Sequence, residues 1–237
     1  ALWRFPELLY RLVTRRGRIF DIADEPGSIA EGIPLVHQEG VKAWVSIMYG
    51  CNNFCTYCVI PYARGPVRSL PLAAAAAEAG RLAGEGYREI VLTGIEISSW
   101  GQDFRDGTGF IDLVEAVCAA APGCRVRLGS LEPRTVTEDF CRRCAALPNL
   151  CPHFHLSMQS GCDPTLRRMN RKYDAARYEE SVKLLRAFFH RPGITTDMIV
   201  GFPGETEEEF AQRILLTEVS VSPGGRFTAS YNDDDMF

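Results

Sequence analysis

From Lys42 to about residue 217, apolar segments of strand length alternate with amphipathic segments of helix length, and this alternation constrains the fold more than any other feature. Strands are predicted at 42–48, 89–93, 125–130, 153–157 and 194–200. Helices are predicted at 71–84, 109–121, 136–147, 174–189 and 206–217. Strands separated by helices pair in parallel through crossover connections. Five such units, each crossing over with the same right hand, build a curved parallel sheet of α/β class. The helix starts carry local signals. Pro71 suits a first turn, Thr135 with Glu138 and Thr206 with Glu209 fit a capping box, and Ala73 to Ala77 is a run of strong helix former.

Ligands of such sheets bind at the carboxyl ends of the strands. Directly after the first strand come Cys51, Cys55 and Cys58, spaced Cys-x3-Cys-x2-Cys, with Gly50, Asn52 and Asn53 suited to a tight loop. A loop can wrap an inorganic core and turn all three sulfurs inward. Soft thiolates select iron–sulfur clusters, zinc or copper(I). A four-iron cluster ordinarily takes four cysteines, so three leave one iron without a protein ligand. A structural zinc site would ask for a second Cys or His pair at a characteristic distance, and no convincing pair is present.

The run Gly50-Cys51-Asn52-Asn53-Phe54-Cys55-Thr56-Tyr57-Cys58-Val59-Ile60-Pro61-Tyr62-Ala63-Arg64-Gly65 is similar to the methylthiotransferases, the radical S-adenosylmethionine (SAM) family that attaches a methylthio group to a tRNA base or a ribosomal protein. The resemblance covers about Lys42 to Phe210 and then fails. It implies a partial (β/α)6 radical SAM barrel with a 4Fe-4S cluster on Cys51, Cys55 and Cys58. S-adenosylmethionine would chelate the open iron, and its reductive cleavage would yield the radical that attacks an unreactive carbon. It places Tyr57 near the SAM adenine and Thr93 and Gly94 near the methionine part, with Glu96 a weaker candidate. Ser130, Glu132 and Gln159 would face SAM or the substrate. One of Arg168 or Arg171 would hold the SAM carboxylate or an RNA phosphate, and Asp197 is a buried-side candidate. Such strand-end residues can equally cap the next helix.

The resemblance further implies a tRNA substrate, an electron donor such as flavodoxin or ferredoxin, and a monomer. Ile95 to Ile97, Ser130 to Arg134, Gln159 to Cys162 and Met169 to Tyr173 look most like the branch acting on C2 of N6-threonylcarbamoyladenosine. Ile47 to Gly50 leans toward the N6-isopentenyladenosine branch, and the ribosomal-protein branch is a distant third. A non-catalytic iron–sulfur electron carrier or RNA-binding protein is the alternative from another class.

Residues 1–40, read as a helix over Pro6 to Thr14 and a strand over Arg18 to Ile22, resemble the tail of an N-terminal domain and its linker. Residues 41–217 would be the core domain, and 218–237 an atypical tail. The family's second cluster has no cysteines here to hold it, so the chain is expected to cleave SAM without completing methylthiolation. No apolar run reaches the ~18 residues of a membrane span, and no signal-peptide core opens the chain, so a cytoplasmic location is expected. Nine irregularly spaced cysteines argue against a disulfide framework. Cys141 and Cys144 read as small buried hydrophobes. His153 and His155 are expected to point to opposite faces of their strand. Residues 125–191 hold 13 Lys and Arg against seven Asp and Glu, which is either a surface for phosphates or the solvated outer faces of helices.

Overall fold

The computed structural model describes residues 4–15, 17–20, 40–214, 218–221 and 227–230. Its elements are α1 (Phe5–Arg15), β1 (Lys42–Ser46), β2 (Met48–Tyr49), α2 (Ile60–Arg64), β3 (Arg68–Ser69), α3 (Leu72–Gly84), β4 (Glu89–Thr93), α4 (Phe110–Ala120), β5 (Arg125–Leu128), β6 (Ser130–Leu131), α5 (Glu138–Ala145), β7 (His153–Leu156), α6 (Asp163–Arg168), α7 (Ala175–Phe188), β8 (Gly193–Thr195), α8 (Glu207–Ile214), β9 (Glu218–Val221) and β10 (Phe227–Ser230).

Two three-stranded parallel sheets, ordered β1-β4-β5 and β6-β7-β8, form successive parts of one parallel series. β5 and β6 are separated only by Gly129, whose N–H donates to Leu92 O at 3.0 Å. A Cβ on Gly129 would come within 2.9 Å of that same oxygen, so a glycine lets the sheet break and bend there. A parallel bridge between Val126 and Leu150 ties β5 to the approach to β7. The expected α/β arrangement with a series of parallel strands is therefore present.

Alternation decides which face meets the helices. Ala43, Val45 and Ile47 of the first strand, Ile90 and Leu92 of β4, and Phe154 and Leu156 of β7 are buried in one core. They pack with Ala75, Ala79 and Leu82 of α3, Val114 and Val117 of α4, and Val182 and Leu185 of α7. Cys141 and Cys144 are fully buried in this core, as the sequence suggested. The opposite face is polar: Lys42 lies over the Trp44 ring at 5.2 Å and Arg127 pairs with Glu89 at 3.2 Å.

Several expectations need correction. Thr137, not Thr135, caps α5, accepting from Phe140 N at 3.2 Å, because Pro133 to Thr135 form a 3-10 turn of their own. Thr206 and Glu209 do make the reciprocal bonds of a capping box, at 3.2 and 3.3 Å. Pro71 is the cap residue of α3 rather than part of its first turn. Residues 18–20 adopt no regular structure, and the rest of that predicted strand lies outside the described residues, as does the predicted end of the last helix. His153 and His155 share a face, since residues two apart on a strand do; both reach Thr195 Oγ1, at 3.4 and 3.1 Å. Within the stretch 218–237, β9 and β10 form an antiparallel pair.

Candidate metal and cofactor site

The cysteine loop leaves the sheet through a two-residue antiparallel ribbon, β2 with β3. Asp103 fixes its base: one oxygen accepts from Ser69 N at 2.9 Å and the other from Ser69 Oγ at 2.5 Å. Ser69 Oγ in turn accepts from Gly101 N at 2.8 Å. Above it Gly50 has φ +76, and a Cβ there would stand 1.9 Å from Pro66 O. Only glycine fits so close an approach. Cys51 N donates to Gly65 O at 3.1 Å, and Val67 N donates to Asn52 Oδ1 at 3.1 Å. The two limbs of the loop are thus held together on both sides of the first cysteine.

The second and third cysteines are held from the opposite side of the fold. Thr56 N donates to Met169 O at 3.2 Å, Thr56 Oγ1 to Arg168 O at 2.9 Å, and Asn170 Nδ2 to Phe54 O at 2.9 Å. Cys58 N closes a turn on Cys55 O at 2.9 Å. Burial pushes the Cys51 thiol up, a backbone hydrogen bond at Asn53 offsets part of this, and the charges of Glu96, Cys55 and Cys58 raise it further. None of the three cysteines is in a disulfide. Among the described residues, no three His, Cys, Asp or Glu side chains stand close enough together to hold a single metal ion, Cys51, Cys55 and Cys58 included. The donor set, three free thiols on one short loop, is chemically that of an iron–sulfur cluster.

Arg171 is the cation at this loop. Its Nη1 approaches Cys55 Sγ at 3.2 Å and Tyr57 OH at 3.5 Å, and its Nε donates to Tyr173 OH at 2.9 Å. The guanidinium also lies over the Tyr173 ring at 4.8 Å. Tyr173 OH donates to the carbonyls of Ser157 and Met158 at the end of β7. A continuous polar chain therefore runs from the thiols to the sheet. Burial pushes the Tyr57 hydroxyl up to about 12, against the charge of Arg171. The Tyr57 ring packs edge-on against Phe202 at 6.3 Å.

The other predicted site residues fall into two groups. Glu96 and Glu132 are buried. Glu96 accepts from Ser98 N at 3.0 Å and from the hydroxyls of Ser98 and Ser99. Burial pushes its carboxyl up, hydrogen bonds from Ser98 and Ser99 work against this, and the charge of Glu132 adds to the rise. Glu132 pairs with Arg134 at 2.7 Å. Thr93 ends β4 with its carbonyl accepting from Ile47 N at 2.9 Å, and a Cβ on Gly94 would meet the Met48 side chain at 2.8 Å. Gln159 has φ +63 and bridges toward β8, its N–H on Asp197 O at 2.9 Å. Ser130 stands in register with His155.

Arg168 and Asp197 behave differently. Arg168 is bound by Glu209, at 3.0 and 2.5 Å, and by Thr165 Oγ1 at 3.2 Å, which leaves Arg171 as the arginine beside the cysteines. The Asp197 side chain is 73% exposed rather than buried, 3.4 Å from His155 Nε2. The buried neighbour is Thr196, whose hydroxyl accepts from Met158 N at 3.0 Å, and alternation along the chain turns Asp197 the other way. Sequence reasoning missed Tyr173, Asn170 and Phe202; the aromatic edge of the basic run 167–173 was the available signal for the first. A hollow of about 360 Å³ between residues 122–125 and 148–152 lies at the amino ends of β5 and β7, away from the cysteines.

The chain matches the Radical SAM superfamily over residues 45–216, and it belongs to that superfamily. Its cofactors are accordingly a 4Fe-4S cluster and S-adenosylmethionine, with Cys51, Cys55 and Cys58 as the residues that fit the cluster. More particularly, it is 40% identical over 218 residues to a tRNA-2-methylthio-N(6)-dimethylallyladenosine synthase of Acetivibrio thermocellus, covering 92% of this chain and 45% of that protein. A protein of the same name from Carboxydothermus hydrogenoformans is 40% identical over 227 residues, 96% of this chain and 51% of that one. The chain thus spans about half the length of the curated relatives it matches. Among solved structures, the cobalamin-dependent S-adenosylmethionine radical enzyme OxsB superposes with a TM-score of 0.60 at 12% identity, over 74% of this chain and 26% of that one. The radical S-adenosylmethionine methyltransferase TsrM from Kitasatospora setae gives 0.57 at 22%, over 72% and 33%. These likenesses support the fold. Among the described residues no helix is long and apolar enough to cross a membrane.

Proposed function

We propose that this chain is the radical SAM portion of a tRNA methylthiotransferase that acts on C2 of N6-dimethylallyladenosine, the isopentenyl-modified base. The observation that carries the reading is the three-cysteine loop within a chain 40% identical, over nearly its whole length, to relatives named for that reaction. The sequence motifs alone favoured the threonylcarbamoyl branch; the names of the relatives support the isopentenyl branch, toward which the lead-in Ile47 to Gly50 leaned.

When bound, the cluster supplies one electron to SAM. The chain's own residues supply the rest. Cys51, Cys55 and Cys58 would hold the cluster through three thiolates, one fewer than a four-iron cluster ordinarily takes. Arg171, tethered by Tyr173 to the end of β7, puts positive charge against the Cys55 sulfur. Tyr57, packed on Phe202, walls one side. Glu96 and Glu132 are buried carboxyls after β4 and β6, the first held by Ser98 and Ser99 and the second paired with Arg134.

The test is 5′-deoxyadenosine release by the reconstituted, reduced chain given SAM and tRNA carrying one or the other modification. Greater release with dimethylallyladenosine tRNA is expected. Release stimulated only by threonylcarbamoyladenosine tRNA would overturn the branch assignment, and no release with any tRNA would overturn the enzyme reading.

A further inference from the structure

Phe54 stands between the first two cysteines with φ +42, a backbone state in which a bulky residue is an outlier. Such strain persists only where the surroundings over-determine it. Here they do: Asn170, itself at φ +59, grips the Phe54 carbonyl, and Thr56 is bonded through N and Oγ1 to residues 168 and 169. The strain does not serve to bury the ring, because Phe54 is 50% exposed. Its ring meets Tyr62 edge-on at 5.6 Å, and Tyr62 is 79% exposed. Two large rings are therefore held in solvent at the lip of the cysteine loop. Cations flank them. Arg64 ends α2, and Arg167 and Lys172 bracket the segment that grips Phe54; all three are exposed. Most other basic residues of the middle of the chain are engaged, Arg143 with Asp112 and Glu115, Arg168 with Glu209, Arg177 with Glu180 and Lys183 with Glu179. Arg64, Arg167 and Lys172 form no ion pair among the described residues.

We propose that Phe54 and Tyr62 form a stacking platform for the unpaired nucleotide adjoining the target adenosine, with Arg64, Arg167 and Lys172 on its phosphates. This rests on the reading of the substrate as RNA. A base whose ring carbon must approach the cluster has to leave the stack, which bares a face of its neighbour. Exposed aromatic rings accept such faces with little regard to sequence, and guanidinium and ammonium groups hold the backbone. A redox protein that delivers the electron is the other occupant such a lip could take, and the test separates the two.

The probe is a short single-stranded RNA with N6-isopentenyladenosine at its centre, titrated by fluorescence anisotropy into the cluster-loaded, SAM-loaded chain. A matched RNA lacks the base beside the target. Tyr62→Ala is expected to weaken binding of the intact RNA about five-fold or more, the low end of one lost stack, and to leave binding of the matched RNA unchanged. Tyr62→Phe restores the affinity, and Phe54→Leu, which keeps an apolar side chain without a ring, weakens it. The SAM-induced change in the cluster's electron paramagnetic resonance signal should be the same in Tyr62→Ala as in wild type. Loss of that change in wild type would count against the proposed function rather than the platform. Equal weakening for both RNAs, no weakening, or failure of wild type to bind the RNA would overturn the platform. Unchanged RNA binding with slower reduction by flavodoxin would instead assign the lip to the electron donor.

Discussion

Gly50 and Gly65 face each other across the neck of the cysteine loop, both in the left-handed region, at φ +76 and +74. Their surroundings differ. A Cβ on Gly65 would meet nothing within 4 Å, whereas one on Gly50 would stand 1.9 Å from Pro66 O and 2.5 Å from Gly65 O. Gly65→Ala therefore meets no steric obstacle and incurs only backbone strain, about 1–3 kcal/mol, because φ +74 with ψ −167 is a region nearly reserved for glycine. Gly50→Ala also carries a positive-φ penalty and in addition requires a backbone displacement of about 1 Å to bring the contact to some 3 Å, which places it in the class of strained substitutions costing roughly 3 kcal/mol or more. The displaced atoms include Gly65 O, the acceptor for Cys51 N, so the first thiol moves too. Urea unfolding of the cluster-free proteins measures both costs, and iron content after reconstitution measures the effect on the site. The expected result is a larger loss for Gly50→Ala by about 1–2 kcal/mol, with depleted iron, against near-normal iron in Gly65→Ala. Equal destabilisation of the two variants would refute the close-approach argument.

Three further predictions concern the supports of the site. Ser69→Ala removes the hydroxyl shared by Gly101 N and Asp103 at the base of the ribbon; a loss of about 1–3 kcal/mol is expected by urea unfolding, and a loss under 0.5 kcal/mol would contradict that role. Hydrogen bonds from Arg143 hold the carboxyls of Asp112 and Glu115 below their usual range. A depressed carboxylate pKa stabilises the fold above the unfolded-state pKa and is lost as pH falls through the folded one. Arg143→Met should therefore cost about 0.5–1 kcal/mol at neutral pH, allowing for solvent screening, and the difference from wild type should close as the pH drops below about 4; a gap that persisted at pH 2–3 would contradict it. Arg171→Met removes the cation from Cys55 and Tyr57 together, and reconstituted iron and SAM affinity should both fall, by about ten-fold for SAM; an unaltered SAM affinity would show that Arg171 serves the loop alone.

Much of this arrangement was legible in the residues. The three cysteines, the glycine before them and the alternation of strand-length and helix-length segments specify a metal loop at the end of a parallel strand, because each is a local signal with a local cause. Long-range partnerships were not legible. The bonds from Arg171 to Cys55 and from Asn170 to Phe54 each span 116 residues, and nothing in either segment identifies its partner. The two candidate arginines, Arg168 and Arg171, looked alike until Glu209 of α8 was seen to occupy Arg168. Short helices escaped for a different reason: α2 and α6 have five and six residues, too few for a helical period to show. Asp197 was misjudged because a strand's hydrophobic pattern weakens near its end, where one residue of slip exchanges the faces. The left-handed states of Phe54 and Gln159 have no signature in side-chain type.

The central claim is that Cys51, Cys55 and Cys58 hold a four-iron cluster with one iron open to SAM. The most direct test is the electron paramagnetic resonance spectrum of the anaerobically reconstituted, reduced protein, recorded with and without SAM. A reduced-cluster signal that shifts on adding SAM is the expected result. A signal indifferent to SAM would mean that the cluster is closed by a fourth ligand or that the pocket cannot take SAM, and the account would fail at its centre.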